Sequence, residues 1–256
     1  MSGQPVVGVI VTHNSQDFLP ELLASINNQT RPLDQLIVID DNSTDATKEL
    51  LTKNGITPIR ATTTVTDVTT RIAHNFQQGI NAAPPNSIVI LGDHDDTWRP
   101  NRVQHQVDYL TNNPEVAMLA SDGWVNSVET LRTYFPIPSN WNQLSTNQQF
   151  RYALRHSIAT GGASAIRPSQ LGSDIRVPAG WLHDRWWSLA ATAQGRMALD
   201  DEIVIDYRIT TEQQVGLDTA MQQESTSKWL AHKASNAKHS AVKARDVMKL
   251  AIRARR

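Results

Sequence analysis

Ile88-Val89-Ile90-Leu91-Gly92 is an apolar run that ends abruptly in Asp93-His94-Asp95-Asp96, three carboxylates within four positions. Carboxylates this close repel one another and are costly to desolvate unless a cation or a donor-rich ligand compensates them. A divalent cation carrying a phosphate is the most economical compensation, because Mg²⁺ prefers one or two protein carboxylates, several waters and phosphate oxygens to a complete protein cage. An acidic surface turn is the plain alternative. Two more polar clusters follow apolar runs in the same way: Thr12-His13-Asn14 after Val6–Val11, and Asp40-Asp41-Asn42-Ser43 after Leu36–Ile39. Ligands of open α/β sheets bind beyond the carboxyl ends of the strands. If these three runs are parallel strands, their polar ends share one rim. Neither a P-loop nor a G-x-G-x-x-G fingerprint is present to hold phosphates in another way.

The elements that must carry these clusters follow from periodicity. Strands apolar on both faces belong to a buried parallel sheet. Between them, Leu19, Leu22, Leu23 and Ile26 fall at helix spacing, a second helix spans Thr44 to Leu51 behind a Ser43/Thr44 cap, and a third runs from about Thr66 to Ala82. Pro100 starts a helix carrying Val103, Val107 and Leu110, and Val116–Ala120 reads as a strand. The alternation predicts an α/β layer structure with right-handed crossovers. In the second half, the pattern gives a glycine-led strand over 161–166, a helix from Trp181 to Ala193 closed by Gly195, and a last strand over Glu202–Tyr207.

Composition narrows the classes. With 24 basic and 25 acidic residues the chain offers no global attraction for nucleic acid. The absence of cysteine excludes disulfides, thiolate zinc sites and a cysteine nucleophile, and fits a reducing cytoplasm. The Met1–Pro5 start lacks the charge and apolar run of a signal peptide, and no run approaches the roughly 20 apolar residues of a membrane span. A cytoplasmic location is expected. From Lys228 onward nine Lys or Arg face a single acid, Asp246. There Leu230, Ala234, Ala237, Ala241, Ala244, Met248 and Ala251 form a narrow helical stripe, weak as a lipid-inserting face. The stripe favours packing on its own domain or on a second copy; the cations leave peripheral contact with the inner membrane face as the other option.

The residues also resemble a known family. Val9–Asn14, Ile37–Asp45 and Asp93–Asn101 look like segments of the family 2 glycosyltransferases of the GT-A fold, the last resembling the D-Q-D-D-x-W-x-P-x-K segment of their bacterial rhamnosyltransferase-like branch. Asn75-Phe76, Thr160–Ala163, His183–Trp187 and Tyr207-Arg208 through Val215-Gly216 continue the similarity over roughly residues 6–217. The resemblance implies a Rossmann-like, mostly parallel sheet flanked by helices. One GT-A domain would span 1–218, with a nucleotide-sugar half to about 120 and an acceptor half after it, followed by a basic helical tail over 219–256.

It further implies an inverting, metal-dependent transfer from a nucleoside diphosphate sugar to a hydroxyl of a glycan, glycolipid or protein. dTDP-rhamnose is the favoured donor, ahead of UDP- or GDP-sugars. Thr12, Asn14 and Asp40 would hold base and ribose, Asp93 the ribose side, and Asp95 a Mn²⁺ or Mg²⁺ ion on the diphosphate, with Asp93 nearby and Asp96 in support. Asp184 would be the base that takes the proton from the acceptor hydroxyl. Gly161 and Gly162 belong to the acceptor-side strand, and Arg71 and Arg185 are phosphate or acceptor contacts. Trp98 and one of the Trp186/Trp187 pair are expected to offer indole faces to a sugar. The family histidine after Tyr-Arg falls on Thr210 and the later asparagine on Gln213, leaving His94, counted with the nucleotide-sugar contacts, and His183, counted with the acceptor contacts, as candidates to substitute. Two rival readings stand: a haloacid-dehalogenase-type phosphatase, since Asp93–Thr97 also fits D-x-D-x-[TV], and a non-catalytic nucleotide-sugar or glycan binder.

Overall fold

The computed structural model describes residues 3–125, 127–209 and 243–252. The first strand, β1 (Val6–Thr12), is followed by α1 (Leu19–Asn27), β2 (Gln35–Asp40), α2 (Thr47–Lys53), β3 (Ile59–Arg60), α3 (Val68–Ala82) and β4 (Ile88–Asp93). Then come β5 (Thr97–Trp98), α4 (Arg102–Asn112), β6 (Met118–Val125), β7 (Glu129–Thr130), α5 (Leu131–Tyr134) and α6 (Thr146–Arg155). A 3₁₀ turn at Gly161–Ala163 leads into β8 (Ser164–Ile166), α7 (Pro168–Leu171), α8 (His183–Ala193) and β9 (Met197–Tyr207), and α9 covers 243–252.

Among the described residues nine strands form one sheet in the order β3-β2-β1-β4-β8-β6-β9-β5, with β7 paired to β6. β3, β2, β1 and β4 run parallel, as continuous apolar runs require. β8 enters antiparallel between β4 and β6, while β6 and β9 run parallel to each other. The sheet is thus mixed at its centre. Its strands bury both faces by alternation: Val7, Val9 and Val11 pack with α3, α6 and α8 on one side, and Val6 and Ile10 with α1, α2 and α4 on the other.

Some boundaries differ from the sequence reading. α2 starts at Thr47 rather than Thr44, because Asp45 accepts the Thr47 amide and Ser43 and Thr44 are used elsewhere on the rim. Residues 161–163 form a tight turn instead of strand, and β9 is longer than Glu202–Tyr207. The tail also differs. α9 packs through fully buried Leu250, aided by Val247 and Ala251, beside the α3/α6/α8 core, and Lys243 Nζ lies 5.0 Å from the Trp181 ring centre. Of the expected stripe, Ala244 and Met248 therefore face outward while Ala251 packs inward, because Leu250 supplies more apolar area than alanine can. Leu230, Ala234, Ala237 and Ala241 lie outside the described residues, as do Thr210 and Gln213. Among the described residues no helix is long and apolar enough to cross a membrane.

Trp187 anchors this core. It is fully buried, and its indole N–H donates to the Ile175 carbonyl at 2.8 Å. Trp187→Ala is expected to destabilise the fold by about 3–5 kcal/mol, read as a lower urea midpoint; an unchanged midpoint would contradict the packing described.

Candidate active site

The rim beyond β1 and β2 is built by two asparagines in left-handed conformation, Asn14 at φ 47° and Asn42 at φ 54°, a region asparagine tolerates better than most residues. These turns lock together. The Asn14 amide donates to Ser43 Oγ at 2.9 Å, its Oδ1 accepts from the Thr44 amide at 2.9 Å, and His13 Nδ1 lies 2.7 Å from the Asp41 carbonyl. Period-two alternation sends the two aspartates of β2 and its end to opposite faces. Asp40 turns towards α2, where it accepts from Thr12 Oγ1 at 3.3 Å and the Ser43 amide at 3.2 Å and lies 3.4 Å from Lys48 Nζ. Asp41 pairs instead with Arg71 of α3 at 2.9 Å.

This corrects part of the expected nucleotide site. Thr12 and Asp40 have relative exposures of 0% and 1%, and their polar groups are spent on each other and on the neighbouring turn. They brace the rim from below. Asp41 is buried as well, and its partner Arg71, half-buried, is the more exposed of that pair.

At the end of β4, Asp93 borders the opening while Asp95 and Asp96 are buried. Burial, reinforced by the charges of Asp95 and Asp184, raises the Asp93 carboxyl to about 7; Arg102 and the Gly162 amide act against it. Asp96 is pushed well above the usual carboxylate range, first by burial and then by Asp95 and Asp93. Its Oδ1 accepts the Arg208 amide at 3.2 Å, and among the described residues its Oδ2 has no hydrogen-bond partner. His94, beside Phe18, is held below its ordinary value by burial, opposed by Asp95 and assisted by His13.

Beneath the carboxylates lies Arg102, a residue the sequence reading misses. Its guanidinium is fully buried, sits 4.1 Å from the Trp98 ring centre, and donates to the Leu91 carbonyl at 2.6 Å and Gln106 Oε1 at 3.3 Å. Burial lowers it to about 9 against the pull of Asp96 and Asp93, so it stays charged at neutral pH. A signal was present: Arg102 and Gln106 occupy the same buried face of α4 as Val103, Val107 and Leu110.

The acceptor-side expectations resolve through the turn at Gly161 and Gly162. The Gly161 amide donates to Asp184 Oδ2 at 3.2 Å, and the Gly162 amide donates to Asp93. Asp184 lies in the first turn of α8, where the helix dipole favours a carboxylate, and its Oδ1 accepts the Arg185 amide at 2.6 Å. Two consecutive N–H groups thus hold carboxylates from β4 and α8 in one cleft. Neither glycine can be enlarged freely: a Cβ on Gly162 would stand 2.5 Å from Asp96 Oδ2 and 2.9 Å from Asp93 Oδ2, and one on Gly161 would meet the His183 ring.

His183 is buried, stacked on Phe76 with ring centres 3.8 Å apart and edge-on to Trp187 at 5.2 Å. Burial lowers it to about 4, so it is neutral. It supports the glycine turn rather than lining an acceptor surface. The expectation of sugar-facing indoles also fails. Trp98, Trp186 and Trp187 are only 2%, 5% and 0% exposed. Trp98 is clamped under Gly92 and against Arg102, while the Trp186 and Trp187 N–H groups donate to the Asp174 and Ile175 carbonyls. Arg185 remains half-buried, with its guanidinium on the His156 carbonyl and lowered by burial against the charge of Asp184.

The profile of glycosyl transferase family 2 matches residues 9–171, which include both polar rims, Asp93–Asp96 and the glycine turn. The chain belongs to glycosyl transferase family 2. Over 108 residues it is 24% identical to a Bacillus subtilis (strain 168) protein named for teichuronic acid biosynthesis, the glycosyltransferase TuaG, a match covering 42% of each chain. Among solved structures it resembles S. aureus TarS 1–349 in complex with UDP-GlcNAc, at TM-score 0.61 and 15% identity over 82% of this chain and 60% of that one. It also resembles glucosyl-3-phosphoglycerate synthase from Mycobacterium tuberculosis in complex with Mn²⁺, UDP and glucosyl-3-phosphoglycerate, at TM-score 0.57 and 16% identity over 85% and 75%. These structural likenesses establish the GT-A fold. The chain spans less than two thirds of the lengths of TuaG and TarS that it matches. Membership of this family leaves the phosphatase reading without support, since Asp93–Thr97 is accounted for within the matched region.

Two measurements check this geometry. Gly162→Ala should keep the fold within about 1–3 kcal/mol, the usual cost of overpacking, yet displace Asp93 and Asp96 and weaken nucleotide-sugar binding at least about tenfold; unaltered binding would show that the cradle is not needed. The second concerns pH. Asp93 rises from its ordinary 3.8 to about 7 on folding, so its contribution to stability is complete below 3.8 and is lost as pH rises through about 7. In chelator, the melting temperature of the native protein should therefore fall more between pH 5 and 8 than that of Asp93→Asn, and parallel falls would refute the assignment.

Proposed function

We propose that this chain transfers a sugar from a nucleoside diphosphate sugar to an acceptor hydroxyl with inversion of the anomeric centre, using Asp184 as base. The observation that carries the reading is the pair of adjacent amides that brings Asp184 of α8 to the same cleft as Asp93 of β4. A carboxylate on the acceptor side can take the hydroxyl proton as the new glycosidic bond forms. A single base on the face opposite the leaving group yields inversion without a covalent intermediate.

On the donor side Arg71, Asp41 and Asn14 border the rim for base and ribose, with Asp93 on the ribose side. The carboxylates fit a divalent cation: Asp96 Oδ2 is buried and, among the described residues, has no hydrogen-bond partner. Mg²⁺ and Mn²⁺ suit such sparse carboxylate sets supplemented by phosphate oxygens. Asp95 is the principal ligand, with Asp93 beside it and Asp96 supporting. When bound, the cation neutralises charge developing on the departing diphosphate. Arg185 sits next to the base and would meet the acceptor. The donor is a pyrimidine nucleoside diphosphate sugar: the sequence resemblance favours dTDP-rhamnose, and the similar structures hold UDP or UDP-GlcNAc. A glycan, glycolipid or protein hydroxyl is the acceptor, and the teichuronic acid role in the name of TuaG favours an envelope glycan.

Thermal-shift screening of dTDP-, UDP- and GDP-sugars with Mn²⁺ or Mg²⁺ identifies the donor, since a ligand of the native state raises its melting temperature. With that donor, Asp184→Asn should lower transfer about 10²–10⁴-fold while calorimetric donor affinity hardly changes. An active variant, or a product that keeps the donor's anomeric configuration by NMR, would remove Asp184 from this role. Asp95→Asn should lose both donor affinity and its dependence on the divalent cation, with turnover down at least about 10²-fold; full turnover in EDTA would overturn the metal assignment.

A further inference from the structure

The two faces of α9 differ sharply. Its inner face holds buried Asp246 and Leu250 with Val247 and Ala251, and Lys243 lies over Trp181 at 5.0 Å. Its outer face presents Arg245, Met248, Lys249 and Ile252, all exposed, at i, i+3, i+4 and i+7. Met248 is 63% and Ile252 53% exposed, two of the few large apolar side chains that the described residues leave in solvent. Inner anchoring fixes which side faces out.

We propose that this outer face of α9 docks on an anionic lipid bilayer. Apolar side chains set one helical turn apart between cations are the pattern of a helix lying in the membrane interface, with Met248 and Ile252 entering the acyl boundary and Arg245 and Lys249 meeting phosphate headgroups. Charge distribution points the same way. Residues 228–256 carry nine basic residues against one acidic, so the body of the chain is net acidic and an anionic surface would attract the tail while repelling the rest. A nucleic acid would engage the cations but has no use for the two apolar side chains between them. The contact is peripheral and reversible, because only two apolar side chains enter. Its position gives it a consequence: α9 leans on Trp181, whose ring centre is 5.6 Å from that of Trp186 in α8, the helix that carries Asp184. The docked helix is thus linked to α8 through these two indoles. The proposal rests on the tail alone and not on the transfer chemistry.

The test is co-sedimentation of the full chain with vesicles of phosphatidylcholine alone or mixed with phosphatidylglycerol. Binding is expected only to the mixed vesicles, and to fade at high salt as screening shortens the reach of the charges. Arg245→Gln with Lys249→Gln should weaken partitioning about 25-fold, near fivefold per cation, and Met248→Ser with Ile252→Ser at least about tenfold. All four positions are exposed, so melting temperatures should stay unchanged and confirm folding. Equal binding to both vesicle types, or partitioning that neither pair of substitutions alters, overturns the proposal. Self-association in analytical ultracentrifugation that Met248→Ser with Ile252→Ser abolishes would assign the face to a second copy instead.

Discussion

Two successive backbone N–H groups, those of Gly161 and Gly162, receive carboxylates that would otherwise repel each other. Hydrogen bonds to ionised acceptors are among the strong ones in proteins, and here they join an end of the parallel sheet to the first turn of a helix on its flank. Much of the second half of the chain serves this junction. β8 enters antiparallel between β4 and β6, which puts the turn preceding it at the carboxyl end of β4. Gln106 of α4 donates to the Ala163 carbonyl at 2.9 Å and pins the turn from below, while His183 and Phe76 stack against it from the α3/α8 side. Glycine is required because side chains from both directions already fill the space a Cβ would take.

The charges in this junction do not balance. Arg102 is a buried cation facing Asp93 and Asp96, and its own burial lowers it to about 9. One guanidinium does not neutralise both carboxylates, and burial raises Asp93 to about 7 and Asp96 well above its usual range. An uncompensated buried carboxylate is costly. Proton uptake relieves the cost in the absence of a ligand, and under the function proposed above a cation carrying a diphosphate would relieve it instead. Arg102 needs its own support, which the Trp98 ring, the Leu91 carbonyl and Gln106 provide.

What the sequence disclosed was whatever local pattern determines. The runs in β1, β2 and β4, the helices between them, and the polar residues at their ends all follow from apolar periodicity, and the family resemblance adds Asp184. Orientation was another matter. Asp40 and Asp41 are neighbours of one type, and only the packing of α2 and α3 on opposite faces decides that one braces and the other meets Arg71. Trp98, Trp186 and Trp187 could present indole to solvent or to the core, and the Asp174 and Ile175 carbonyls and the Arg102 guanidinium settle it. Arg102 and Gln106 were legible in principle, since polar residues on the apolar face of a helix are unusual, yet a polar side chain at a single position reads as surface. In α9, Leu250 faces the core and Met248 faces solvent, an orientation that apolar spacing alone did not give.

The insertion of β8 has a consequence for synthesis of the chain. Ile90 of β4 pairs with Ala165, and Val89 with Ile166, so the inner edge of β4 has no partner until the chain has grown past β8. While the ribosome makes the segment between them, a strand apolar on both faces presents unpaired backbone groups, the kind of edge that invites pairing with other chains. The acidic sequence that ends β4 carries charge at that exposed edge throughout this interval. The same aspartates that are costly to bury in the finished protein therefore act as solubilising gatekeepers of the nascent one.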